Sequence, residues 1–174
     1  MAEEKGKTVA LNLNDEKAID YSSDVPYFPF DTYGDFDFAV VAAEDSGEAG
    51  SEKNKSDKEF DVYTVEVLAS SNPSLKPGEK VIFWFQTGGD GVTQKNRAYK
   101  AAELRQFVSA AMGVHPTSAE YKKYDALAGR KTLLERDFEA VETGIRLKAT
   151  KGKERTGTPG TFYTEKAWAP LAAE

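Results

Sequence analysis

Residues 79–112 read EKVIFWFQTGGDGVTQKNRAYKAAELRQFVSAAM, and the hydrophobic period changes inside this stretch. Val81, Phe83 and Phe85 alternate with Lys80, Ile82, Trp84 and Gln86, the two-residue period of a strand with two distinct faces. Gly88-Gly-Asp-Gly91 closes that run with residues that tolerate the backbone angles of a turn. From Tyr99 to Met112 the apolar residues Leu104, Phe107, Val108 and Ala111 recur at three and four, which is one face of a helix. Gly113 suits the left-handed residue that ends such a helix, and Pro116 prevents its continuation.

Outward from this switch, both flanks read as strands. Upstream, Gly34 to Ala43 carries Phe36, Phe38 and Val40 in alternation with Asp37 and Ala39, and Phe60 to Leu68 is rich in Val, Tyr and Thr. Residues 44–58, EDSGEAGSEKNKSDK, contain no large apolar side chain and predict a mobile loop that folding does not need. Asn72-Pro-Ser-Leu-Lys-Pro-Gly78 predicts a turn before the third strand. Downstream, Thr117-Ser-Ala-Glu120 has the spacing of a capping box that opens a second helix, and residues 130–142 lean to helix. Gly144 opens a fourth strand, in which Ile145, Leu147 and Ala149 alternate with Arg146, Lys148 and Thr150. The loop KGKERTGTPG, 151–160, joins it to a fifth strand, Thr161 to Trp168.

Three strands, a helix and two strands is the chain order of an OB-fold barrel, a fold that grips single-stranded nucleic acid or sugars. The expected class is therefore α+β, mainly β: an OB-fold-like five-stranded barrel with a helical insertion between strands three and four. Residues 1–24 are expected to be an N-terminal arm or tail with one short apolar alternation, Val9, Leu11 and Leu13. Residues 25–170 form the OB-fold-like domain and 171–174 a C-terminal tail. Val25-Pro-Tyr-Phe-Pro-Phe30 must run extended because of its two prolines, and its aromatics need burial against the barrel wall.

Composition narrows the function classes. The chain has no cysteine, which removes disulfides, thiolate metal sites and thiol nucleophiles, and fits a reducing cytoplasm. No stretch has the roughly 18 apolar residues of a membrane span, and MAEEKGKTVALNLNDE lacks the apolar core of a secretory signal. The net charge is −6, but it is unevenly spread. Residues 1–61 hold 16 acidic and 6 basic side chains, net −10, whereas residues 62–174 hold 13 acidic and 17 basic, net +4. An acidic chain with a basic back half fits a local basic binding path.

The candidate binding residues lie on that back half. Trp84, on the outer strand face with Lys80, is placed to stack on bases; its alternative is a ring lying under the helix or the N-terminal arm. Arg146, Lys148, Lys151, Lys153 and Arg155 stand against a single acid, Glu154, on and after strand four, where an OB-fold loop borders the binding groove. Lys95, Arg97 and Lys100 form a second basic group, of which Arg97 and Lys100 are taken as candidate contacts. The plain alternative for both groups is a solvated surface.

Catalytic readings find less support. His115, the only histidine, precedes Pro116 at a helix end and fits a capping role. GGDGVTQK, 88–95, lacks the Gly-Lys-Ser/Thr ending of a phosphate loop. Asp31, Asp35 and Asp37 have the chemistry to hold a hard cation, but nothing completes such a site, and solubility and turn formation explain them better. No enzyme activity, no cofactor and no metal is expected.

Several segments together resemble the small phage-encoded single-stranded-DNA-binding proteins and their uncharacterised OB-fold relatives. They are LNLND, YGDFDFAVV with its aromatic-proline lead-in, VYTVEVLASSNPSLKPGEKVIFWFQ, AAELRQFVSAAMGV and the terminal AWAP, spread over residues 11–170. The resemblance implies a protein that coats single strands during phage DNA replication or recombination in the host cytoplasm, with replication or recombination proteins as partners and room for a homo-oligomer. The ending LAAE departs from the acidic tip through which many such proteins recruit partners. The competing class is a structural or interaction protein, such as a virion decoration subunit or an acidic, DNA-mimicking inhibitor of a host protein.

Overall fold

The computed structural model describes residues 25–171, and the alternation at Val9, Leu11 and Leu13 lies outside them. Among the described residues the fold is mainly β, with five strands in one open antiparallel sheet and three helices. The strands are β1 (Gly34–Asp45), β2 (Lys58–Ser70), β3 (Lys80–Gly89), β4 (Gly144–Glu154) and β5 (Phe162–Pro170). The helices α1 (Arg97–Ala111), α2 (Ala119–Lys123) and α3 (Ala126–Leu134) all fall between β3 and β4. The strand order is β3-β2-β1-β4-β5, so β3 and β5 are the two edges. The expected OB-fold-like barrel is thus an open sheet in backbone pairing, and side chains bridge its edges.

The alternating residues make the core. Phe36, Phe38 and Val40 of β1, Val65 and Val67 of β2, Val81 and Phe83 of β3, and Ile145, Leu147 and Ala149 of β4 all face inward. α1 lies across the opening between the edges and inserts Phe107, which sits 4.7 Å from the Tyr63 ring and 4.9 Å from Trp168 of β5. Trp168 in turn meets Phe83 of β3 at 4.8 Å, edge to face. Contacts of this kind favour an offset or perpendicular ring pair. Trp168 also anchors to the helix through its backbone N–H, which donates to Gln106 Oε1 at 2.8 Å.

The aromatic-proline segment packs as its composition requires. Tyr27 pairs in parallel with Ile82 on the free edge of β3; the Phe28 N–H donates to Ile82 O and the Ile82 N–H donates to Pro26 O. Phe28 then turns inward, stacked 4.9 Å from Phe83, while Val25 and Tyr27 cover Phe60, Val62 and Ile82 on the outer face.

Other expectations are corrected. The loop after β1 lacks an apolar anchor but has a polar one. The buried Asn54 donates to Ser46 Oγ, Gly47 O and Lys58 O, and its Oδ1 accepts from the N–H and hydroxyl of Ser56. Gly89 closes that end of the sheet at positive φ, where an added Cβ would collide with the Asp57 carbonyl. The capping box does not form: Ser118 stands at the N-cap of α2, but its hydroxyl donates back to His115 O. Within 130–142 only the end of α3 is helical, and turns follow Leu134. α1 ends as expected, at Gly113 with φ 86°, where the Val114 N–H donates to Ser109 O. Among the described residues, no helix is long and apolar enough to cross a membrane.

One charged group lies inside the fold. Asp61 is fully buried and takes a bidentate pair from Arg130 of α3, both bonds at 2.6 Å, together with the Tyr63 hydroxyl at 2.8 Å. Asp45 lies 3.6 Å from the same guanidinium. Burial, reinforced by the Asp61 charge, pushes ionisation of the Tyr63 hydroxyl far above its ordinary range. The hydrogen bonds to Asp61 hold Arg130 charged.

Candidate nucleic-acid interface

The gap between the sheet edges, where backbone pairing stops, leaves a groove beside α1. A cavity of about 440 Å³ is lined by Trp84 and Phe85 of β3, Tyr99, Glu103 and Gln106 of the helix, and Lys166 of β5. A second, of about 740 Å³, continues from Tyr99, Glu103 and Lys166 to Phe30, Lys153 and Tyr163. The groove therefore runs from the middle of β3 to the β4–β5 hairpin.

Strand period decides which rings reach it. Trp84 follows Phe83, which points inward, so the indole points out; it is 36% exposed and touches Phe60 edge-on at 6.0 Å. Val25 and Tyr27 cover Ile82 instead, two residues away on the same face. Tyr99 lies in the first turn of α1 and is 69% exposed. Phe30 and Tyr163 are half-exposed at the other end. Flat rings open to solvent suit stacking on unpaired bases.

The charges of the groove are mixed. Although solvent reaches Glu103 and Lys166, the surrounding protein raises the Glu103 carboxyl above its ordinary range, against the pull of Lys166 and Lys100. The same desolvation lowers the Lys166 ammonium, against the pull of Glu103. At the hairpin the cations lie on aromatic rings: Lys151 Nζ is 3.9 Å from the Phe162 centroid, and the Arg155 guanidinium is 5.3 Å from Phe30 and 5.2 Å from Tyr163.

The structure gathers only part of the residue set expected from sequence. Trp84 and Lys153 line the groove, Lys151 and Arg155 stand at its hairpin end, and Arg97 and Lys100 lie in the first turn of α1 beside Tyr99. Lys148 is exposed on the outer face of β4. Arg146, on the same face, is held by Asp37 of β1 at 2.8 Å. Lys80 lies at the start of β3, beside a separate cavity with Val25 and Leu75. Of the three aspartates weighed as cation ligands, Asp37 holds Arg146 and Asp31 accepts from the Tyr33 hydroxyl. His115 is exposed and its Nδ1 accepts from the Thr117 N–H at 3.1 Å, a local turn contact.

Sequence reasoning missed Phe30, Tyr99, Tyr163 and Lys166. The run Phe162-Tyr-Thr-Glu-Lys166 carried a signal, two aromatics and a lysine on an edge strand, but which of them reach the groove depends on where α1 lies. No family model matches the chain, and comparison with curated proteins and with solved structures finds no match.

Proposed function

We propose that this protein binds single-stranded DNA with little sequence specificity, through the groove between β3 and β5 and the basic hairpin at its end. The observation that carries this reading is the groove itself: Trp84, Tyr99 and Tyr163 open to solvent along one path, with Lys153 and Lys166 on the same walls. Rings accept any base, since every base has a flat π-face, while lysines and arginines follow the phosphates and release counterions. A duplex keeps its base faces stacked inside, so the rings favour an open strand.

The finer architecture belongs to the same proposal. The order β3-β2-β1-β4-β5, with a helix between the third and fourth strands, is that of an OB barrel opened between β3 and β5, where Phe83 and Trp168 meet across the gap. The resemblance to phage single-strand-binding proteins supplies the setting, DNA replication or recombination in the host cytoplasm.

The test is a titration of fluorescent oligo-dT and of an equal-length duplex at several salt concentrations. The expected result is tighter binding to the single strand, with affinity falling steeply as salt rises. No binding to either at low salt, or tighter binding to the duplex, would overturn the reading in favour of a structural or interaction protein.

A further inference from the structure

We propose that Phe30, Tyr163 and Arg155 form a preformed slot for one unpaired base, filled in the free protein by the Arg155 guanidinium. The inference rests on the single-strand reading above and adds a base-binding position to it. The two rings come from distant parts of the chain, the end of the aromatic-proline segment and the start of β5. Each is about half exposed, 52% for Phe30 and 51% for Tyr163, and Arg155 contacts both. A guanidinium is planar and stacks on aromatic faces much as a base does, with a far smaller surface. A base entering the slot offers each ring a larger flat partner and releases the cation, which has no described carboxylate within ion-pair distance, for the adjoining phosphate.

The backbone around the slot is held by hydrogen bonds. At the hairpin neck the Arg155 N–H donates to Thr161 O at 2.7 Å, and the Gly160 N–H donates to Glu154 Oε2 at 2.7 Å. On the other side Pro29 presets its own φ, and Asp31 follows Phe30 at φ 65°, an uncommon angle for a residue with a side chain. The turn thus presents the Phe30 ring at the slot, where the Arg155 guanidinium lies on it. Lys153 lines the same cavity as both rings, which places a second cation for a neighbouring phosphate.

The experiment uses the full chain, oligo-dT carrying 5-iodouracil, and the variants Phe30→Leu, Tyr163→Leu and Arg155→Gln, each with a melting curve. Leucine keeps apolar bulk and removes the flat ring. Photocrosslinks in the unsubstituted protein should map to Phe30 or Tyr163. Each leucine variant should bind oligo-dT about 5- to 150-fold more weakly, the range for loss of one base stack, with its salt dependence unchanged. Arg155→Gln should instead flatten the salt dependence by about one released counterion. If the protein binds oligo-dT but both leucine variants bind as tightly and the crosslinks map elsewhere, the slot is wrong and the single-strand reading stands. Failure of the unsubstituted protein to bind at all removes both. Should one leucine variant fail to fold, the crosslink map and the other variant decide.

Discussion

Two residues separate binding from folding. Trp84 faces outward by the parity of its strand and keeps 36% of its surface open, with Phe60 as its ring neighbour. Trp84→Ala is therefore expected to weaken oligo-dT binding by about 1–3 kcal/mol while leaving the salt slope nearly unchanged, because stacking releases no counterions. Binding isotherms at two salt concentrations check this, and a melting curve should show the fold retained. Arg130 is the opposite case. Its guanidinium makes both hydrogen bonds to the fully buried Asp61. Arg130→Ala leaves that charge buried with the Tyr63 hydroxyl and no cation, at a cost of about 3–5 kcal/mol, which urea denaturation will read. The outward course of Trp84 was legible in the alternation of β3. The Arg130 pair was not, because it joins residues 69 apart in the chain, and no local pattern marks an arginine whose carboxylate lies on another element.

At the scale of elements, the loop between β1 and β2 and the hairpin between β4 and β5 look alike in composition and act differently. The first is built on Asn54, 2% exposed, whose amide donates to three acceptors. Asn54→Ala leaves buried acceptors without their donor and should cost about 1–3 kcal/mol, seen as a melting temperature lowered by about 2–4 °C for each kcal/mol. Replacing the whole loop by a short Gly/Ser turn, harmless for a loop without an anchor, should for the same reason destabilise the protein. The hairpin carries the exposed Lys151 and Lys153 and the partly buried Arg155, with Lys148 further down β4. Neutralising all four should weaken single-strand binding and flatten its dependence on salt, since fewer counterions are released. The same isotherms, repeated with this variant, provide the measurement.

For the whole molecule, the distribution of fully and partly buried tyrosines predicts how stability responds to pH. Burial raises the ionisation of Tyr27, Tyr63 and Tyr124 above the ordinary tyrosine value. The unfolded chain ionises these groups near pH 10, where the folded chain still holds their protons. Their contribution is therefore full below about pH 10 and is lost as the pH climbs from there towards the raised folded values. Chemical denaturation between pH 8 and 11 should show stability falling at the alkaline end, with a shallower fall in Tyr63→Phe. The net charge of −6 does not oppose a polyanion everywhere at once. Exposed charges more than a Debye length apart, about 10 Å at 0.1 M salt, are largely screened from each other. The hairpin cations can therefore act locally on an acidic protein.

The five strands, the helix between the third and fourth, and the inward or outward parity along β1, β3 and β4 were legible in the amino-acid order alone. These follow from periods of two and 3.6, which are properties of consecutive residues. The basic hairpin was legible there too, since five cations against one acid over residues 146–155 needs no fold to be seen. What lies between the edges was set by packing between distant elements. The sheet opens between β3 and β5, α1 covers the opening, and the aromatic-proline segment pairs with β3 at Ile82, with Trp84 still 36% exposed. The same packing brought Phe30 and Tyr163 onto Arg155, and Arg130 onto Asp61. Each of these joins residues far apart in the chain, and such contacts depend on where whole elements pack, which periodicity along one segment does not encode.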